Sequence, residues 1–283
     1  IVEAGLIQWQ LWQALQRAGV ALHAPAEVLG LEIEDDEAVL ELEHQRLRTP
    51  LLIAADGARS ALRAWAGIDT RGHDYGQSGL VAYIRTAEPH AETAWQRFLP
   101  GGPLAVLPCA DGLSSIVWSL PLAEAERLQS CPAEAFERAL ERAFDARLGA
   151  MRLASVRALF PLRLQLAKRY RAGPVLLAGD AAHAVHPLAG QGVNLGLQDA
   201  RELLALSCEA ESLSLPLHAP RLLDRYARRR QSENTLAAYG FDALNRLFSN
   251  DAVLPTLLRG HALGLAGALP PLRRLWVQRA SGG

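Results

Sequence analysis

The sequence predicts an α/β fold, α+β overall, with an antiparallel sheet set into its middle and helices at its C-terminal end. Three observations predict it. Two short runs, Leu51–Ala55 and Pro174–Ala178, are uniformly apolar instead of alternating, as strands buried on both faces are, and a helical pattern follows each. The stretch from Tyr75 to Leu120 is β-rich and punctuated by turn signals. Beyond Gly190 the apolar residues return at helical spacing nearly to the end of the chain.

Composition sets the outer bounds. A chain of 283 residues, half of them hydrophobic, is long enough for two domains or one large core. With 21% charged residues and a net charge of −1 it lacks the basic excess of a nucleic-acid binder. The three cysteines, Cys109, Cys131 and Cys208, are odd in number and widely spaced, which suggests neither a disulfide framework nor a zinc site and fits a reducing, cytoplasmic compartment. No apolar run approaches the roughly 20 residues of a membrane-spanning helix, so any membrane contact is expected to be peripheral. The chain opens at Ile1, inside what reads as a structured region, and is expected to be a fragment.

Taken in order, Leu6, Ile7, Leu11, Leu15 and Ala18, with Trp9 and Trp12 between them, predict an amphipathic helix over residues 1–18. Val28 to Leu42 alternates, with Leu29, Leu31 and Ile33 on one face and Val39 and Leu42 beyond an acidic turn at Asp35-Asp36-Glu37, and reads as a β-hairpin. The run Leu51–Ala55 ends in Asp56-Gly57-Ala58-Arg59-Ser60-Ala61-Leu62-Arg63. A buried strand that delivers a carboxylate and two arginines suits a phosphate-bearing ligand, while Asp56 could equally cap the helix that follows. Strands Gly79–Ile84, Ala94–Leu99, Pro103–Pro108 and Ser114–Leu120 then form the antiparallel layer, and Phe98, Val106 and Trp118 suit either its core or an apolar ligand. Residues 132–148 carry Ala135, Phe136, Leu140, Phe144 and Leu148 on one side of a helix. Residues 160–170 lead back to the first layer with Lys168-Arg169-Tyr170 as a surface.

The second apolar run stops at Gly179-Asp180, where a carboxylate projects from the strand end and a glycine leaves room for a ligand. After a turn through His186-Pro187, Gly190, Gly192 and Gly196 lead into the helical pattern Val193, Leu197, Ala200, Leu203 and Leu204. Unpaired N–H groups at such a helix start can hold an anion or an electron-rich ring edge. His183 and His186 are three apart, but no third ligand is placed and Pro187 breaks any helix they would share, so no metal site is expected. Leu222 to Arg230 continues as a helix with a basic cluster, either a solvated face or a docking patch for anionic lipid. A leucine-rich helical tail closes the chain.

The segment GDAAHAVHPLAGQGVNLGLQDA, residues 179–200, resembles the second flavin-binding motif of the FAD-dependent aromatic hydroxylases built like para-hydroxybenzoate hydroxylase, and DGARSALR, residues 56–63, resembles their Asp-Gly motif. Tyr75-Gly76-Gln77, Arg97-Phe98-Leu99-Pro100 and residues 102–108 are similar to the branch acting in ubiquinone biosynthesis. The resemblance implies that Asp180, beside Gly179, accepts a hydrogen bond from the ribityl chain of FAD. It implies that Gly190, Gln191, Gly192, Val193 and Asn194 face the pyrimidine edge of the flavin, with His186 and Pro187 positioned at the flavin face. Asp56, Gly57 and Arg59 would serve FAD and the nicotinamide cofactor. The implied reaction is hydroxylation of the aromatic ring of a polyprenylated phenol by O2, with NAD(P)H as reductant.

The resemblance further implies an incomplete FAD-binding Rossmann-like domain, because the Gly-x-Gly-x-x-Gly turn that holds the pyrophosphate is absent from these 283 residues. The expected division is 1–72 and 166–230 for the FAD-binding domain, 73–165 for an antiparallel-sheet substrate domain, and 231–283 for a C-terminal helical segment. The 283 residues alone are expected to bind FAD weakly or not at all. A second expectation is a non-catalytic scaffold or prenyl-lipid-binding subunit of a quinone-synthesis complex at the inner membrane.

Overall fold

A computed structural model describes residues 2–185 and 191–248, without the side chains of residues 191, 241 and 244–248. In chain order these form α1 (Ala4–Arg17), β1 (Val28–Glu34), β2 (Glu37–Leu42), β3 (Arg46–Thr49), β4 (Leu52–Ala54), α2 (Ala61–Trp65) and β5 (Thr70–Thr86). There follow β6 (Trp95–Leu99), β7 (Gly102–Pro108), β8 (Leu113–Pro121), α3 (Leu122–Ser130), α4 (Ala133–Ala143), β9 (Met151–Leu153) and β10 (Ala158–Ala167). The chain ends in β11 (Arg171–Ala172), β12 (Val175–Leu177), β13 (His183–Ala184), α5 (Gln191–Ser212) and α6 (Pro220–Phe248).

Two compact units result, one of residues 1–26 with 76–161 and the other of residues 27–75 with 162–283. The division differs from the expected one. Residues 1–26 go with the antiparallel unit, the crossings fall within β5 and β10 at 75/76 and 161/162, and α6 runs unbroken through position 230. Among the described residues no helix is long and apolar enough to cross a membrane.

In the first unit the antiparallel order is β5-β8-β7-β6, with β9 on the other side of β5. Register pairs Leu80 with Trp118 and Trp118 with Leu104, so every second residue of each strand faces α3 and α4. That face, with Ala82, Ile84, Val106 and Ile116, meets Leu128, Phe136 and Leu140 in a closed core. Helix α4 also covers a strand edge, since Glu137 and Glu141 accept the backbone N–H groups of Leu153 and Met151, both at 2.9 Å. The opposite face carries Val81, Tyr83, Ala105, Leu107 and Val117, all half-buried, and the exposed Phe98. Of the three ambiguous side chains, Val106 and Trp118 therefore belong to the core and Phe98 does not. Helix α1 buries none of its residues, and its whole apolar set from Leu6 to Leu15 is exposed among the described residues.

The second unit is built on three central strands in the order β11-β12-β4, of which β12 and β4 are parallel with Val175 opposite Leu52 and Leu177 opposite Ala54. All of β12 is buried, and its side chains alternate between two cores. Val175 and Leu177 pack with Ala38, Leu62, Ile68 and Tyr170, from the β1–β3 sheet, α2 and the chain around them. Leu176 packs with Leu206, Ala210, Leu222 and Tyr226 of α5 and α6. A strand covered on both sides has no solvated face, which is why its sequence does not alternate.

The hairpin forms as predicted, turning at Asp35 and Asp36 with φ of 49° and 64°. Its burial differs. A register shift between Val28 and Gly30 puts Val28 and Leu31 on the core side three residues apart and leaves Leu29 exposed. Ile33, farther along the strand, is exposed as well.

Candidate functional site

Strands β4 and β12 end side by side, and the two motif loops leave from those ends. Pairing continues one step past the strands, where the Ala178 N–H donates to the Ala54 carbonyl at 3.0 Å, and then stops. The carboxyl ends of adjacent parallel strands are where open α/β sheets place ligands. Gly57 and Gly179 each turn the chain there at positive φ, 85° and 59°, and a Cβ built on either would meet no atom of the described residues within 4 Å. Both loops thus open onto free space while adopting a backbone that side-chain-bearing residues rarely take.

Within the first loop the capping alternative describes Asp56. Its carboxylate accepts the Ser60 hydroxyl at 2.5 Å and the Leu62 N–H at 3.2 Å, and Ser60 in turn accepts the Arg63 N–H at 2.9 Å as the N-cap of α2. Arg59 is exposed, at the outer end of the loop. Arg63 turns inward instead, only 8% exposed, and its guanidinium donates to the Ala58 carbonyl at 3.0 Å and to the Ala181 carbonyl at 2.8 Å. One fork therefore ties the Asp-Gly loop to the Gly-Asp loop, and its burial lowers the pKa from the ordinary arginine value. Gln165 on β10 adds a third tie, donating to Ala58 at 2.9 Å.

In the second loop Asp180 is exposed at the strand end, in a short 3-10 turn, Gly179–Ala181. Behind it lies a buried polar network centred on Asp199 of α5, which is fully buried. Its Oδ2 accepts the Gly179 N–H at 2.8 Å and sits 2.7 Å from His183 Nε2, while Oδ1 accepts Arg230 Nε at 2.6 Å and Asn234 Nδ2 at 3.1 Å. An ionised carboxylate only accepts, so His183 Nε2 is the donor in this bond. Burial alone would raise the Asp199 pKa, but the bonds from His183, Arg230 and Gly179 outweigh it and hold the carboxyl below its ordinary value. Tyr170 sits at the edge of the network, accepting from Asn234 Nδ2 at 3.4 Å, and burial pushes its pKa up.

The structure brings Asp56, Gly57, Arg59, Gly179 and Asp180 to neighbouring loops. Helix α5 starts at Gln191, with Gly192 half-buried and Val193 and Asn194 exposed in its first turn. His186, Pro187 and Gly190 lie outside the described residues. The apolar stripe read for this helix is not its buried face, since Val193, Leu197 and Leu204 are exposed and Leu195, Asp199, Leu206 and Ala210 are inside. Tyr170 is likewise buried, not part of a basic surface. In the basic cluster Arg225 pairs with Glu209, Arg229 with Glu202 and Glu233, and Arg230 is buried on Asp199, while Arg228 is exposed. Sequence reading missed Asp199, Arg230 and Asn234. The available signal was spacing, because Leu195 and Asp199 share one face of α5, and Arg230 and Asn234 one face of α6, four residues apart. Among the described residues no three metal-ligating side chains gather.

This fold and its paired loops are those of a flavin-binding protein, and the chain belongs to the family described as FAD binding domain, whose model matches residues 6–237. More particular likenesses follow. The chain is 38% identical to ubiquinone hydroxylase UbiL of Rhodospirillum rubrum (strain ATCC 11170), over 100% of this chain and 66% of that protein. It is 36% identical to the 3-demethoxyubiquinol 3-hydroxylase of Escherichia coli (strain K12), over 95% of this chain and 68% of that protein. Among solved structures, OxyS anhydrotetracycline hydroxylase from Streptomyces rimosus superposes with a TM-score of 0.75 at 25% identity, over 99% of this chain and 56% of that one. The chain thus spans about two thirds of the length of these curated relatives.

Proposed function

We propose that the protein containing this chain is an FAD-dependent monooxygenase that hydroxylates the aromatic ring of a polyprenylated phenol or quinol in ubiquinone biosynthesis. The observation that carries this reading is the joining of the Asp-Gly and Gly-Asp loops at the ends of two parallel strands by Arg63. The residues fit FAD, since both glycines open onto space and the Asp180 carboxylate is exposed at the strand end. The substrate class is supported by the two hydroxylase relatives named above.

Asp180 would accept a ribityl hydroxyl, and Arg59 would approach a phosphate of FAD or NAD(P)H. Asp56 contributes by fixing the loop through its cap. The backbone N–H groups of Gln191 to Asn194, at the positive end of α5, favour negative charge on the flavin pyrimidine edge. His186, Pro187 and Gly190 complete this side by family resemblance. Bound FAD supplies the redox chemistry, taking electrons from NAD(P)H and activating O2. The chain's own work is to bind, orient and exclude water, and no side-chain nucleophile is needed.

In the first unit the sheet face opposite α3 and α4, with Val81, Ala105, Val117 and Phe98, offers an apolar surface for an isoprenoid chain. A cytoplasmic protein meeting the inner membrane or a quinone-synthesis complex peripherally fits such a substrate.

The test is a FAD titration of the whole protein followed by hydroxylation of a polyprenylphenol with NADH and with NADPH. Saturable binding weakened by Asp180→Ala, with product formed, supports the reading. A folded protein that takes up no FAD overturns it.

A further inference from the structure

The buried network behind Asp180 is more than packing. A carboxylate taken fully out of water is costly, and replacing such a network by apolar side chains is often neutral for stability. Stability alone therefore does not account for Asp199. What distinguishes it is the identity of one of its donors. On the side of β12 that faces β11, the last sheet bond is the Leu177 N–H to the Tyr170 carbonyl at 3.0 Å, so the next N–H on that side, that of Gly179, has no sheet partner among the described residues. Asp199 takes that N–H at 2.8 Å. The same oxygen lies 2.7 Å from His183 Nε2, so both ends of the segment that carries Asp180 are tied to one carboxylate.

The other oxygen fixes where that carboxylate stands. Arg230 donates to it at 2.6 Å and also to the Leu195 carbonyl one turn earlier on α5 at 3.3 Å, clamping the helix. A Cβ built on Gly196 would lie 3.6 Å from the Gly179 Cα, so the helix backbone passes close against the turn. The carboxylate thus sets the turn and the first turns of α5 in one register.

We propose that Asp199, seated by Arg230, is the positioning residue for Asp180, holding residues 179–183 in the shape that presents the Asp180 carboxylate to the cofactor. The proposal rests on the flavin reading of this turn. Asp199 itself touches no cofactor, and its effect on binding is exerted through Asp180.

The test uses the whole protein and Asp199→Asn, which keeps the shape but cannot accept from both Gly179 and Arg230 with one oxygen. Asp199→Ala and Asp180→Ala complete the set. Without FAD, hydrogen exchange at the Gly179 amide should accelerate by about tenfold or more in Asp199→Asn, with Leu177 unchanged as the internal reference. With FAD, affinity read by flavin fluorescence should fall by about tenfold in Asp199→Asn, yet by less than about twofold when the same change is made on Asp180→Ala. Unchanged Gly179 exchange, or an equal loss of FAD affinity in both backgrounds, overturns the proposal while leaving the flavin reading intact. Failure of the folded wild-type protein to take up FAD overturns the flavin reading, and the proposal with it. If Asp199→Ala does not fold, the Asn variant still decides through the exchange measurement.

Discussion

Arg63 shows how much one side chain can be asked to do. Its guanidinium reaches from the Asp-Gly loop directly to the Gly-Asp loop, with both donors on buried or half-buried carbonyls. Arg63→Met should cost about 2–4 kcal/mol in urea unfolding, because the Ala58 and Ala181 carbonyls lose charged donors in a dry site. Arg63→Lys should recover less than half of that, since a single ammonium cannot fork between two acceptors. Full recovery by lysine would remove the fork from the account. Asp199 makes a pH prediction with a definite sign. Its folded pKa lies below the ordinary carboxylate value, so its contribution is present above the unfolded value of about 3.9 and is lost as pH falls through the folded one. Urea midpoints measured from about pH 7 to about pH 2 should therefore fall more steeply at the acid end for wild type than for Asp199→Asn. That Asp56, Asp180 and the arginines follow the ends of two buried strands was legible in the sequence. The capping role of Asp56 was legible as one of two readings, because its partners Ser60 and Leu62 are local, while the bridging role of Arg63 was not, because it depends on where a second loop passes.

Helix α6 illustrates the same limit for an element. Apart from Leu223, its buried residues among those described, Leu222, Tyr226, Arg230, Asn234, Ala238 and Asp242, fall every fourth position. At 3.6 residues per turn each step of four advances the face by about 40°, so the stripe winds around the helix. It meets the α5 core at Leu222, the Leu177 carbonyl at Tyr226, Asp199 at Arg230 and Asn234, Leu164 and Leu166 at Ala238, and His73 at Asp242. Such a stripe, half apolar and half polar, does not register as an amphipathic face. Helix α5 fails in the opposite way, since Val193, Leu197 and Leu204 of its legible apolar stripe are exposed, Leu203 packs only partly on the core, and the charged Asp199 is inside. Strands fared better. Sheet alternation is a two-residue rule, and β6, β7 and β8 fall within a residue of the expected runs. Tyr226→Phe tests the winding stripe. It removes only the O–H donated to Leu177 at 3.0 Å and should cost about 1–3 kcal/mol, read as a lower urea midpoint with an unchanged slope.

Across the whole molecule, the first unit has its own core and the second is layered on β12. Phe136→Ala should cost about 3–5 kcal/mol and Leu176→Ala about 2–5 kcal/mol, each read as lost amide protection within its own unit. Both side chains are fully buried, so each change leaves a cavity with no rim of solvent to relax into. The parallel pair at the centre has a further consequence. Leu52 and Val175 are partners across 175 − 52 = 123 positions of chain, and the intervening residues include most of the first unit. Contacts of such sequence separation carry a loop-closure entropy that grows slowly with the length between them, and they slow folding. The Asp-Gly and Gly-Asp loops are therefore expected to meet late in folding. Refolding of the whole protein followed by flavin fluorescence should accordingly lag behind refolding followed by the tryptophans of β6 and β8, so that any capacity to hold FAD is gained after the antiparallel sheet has formed.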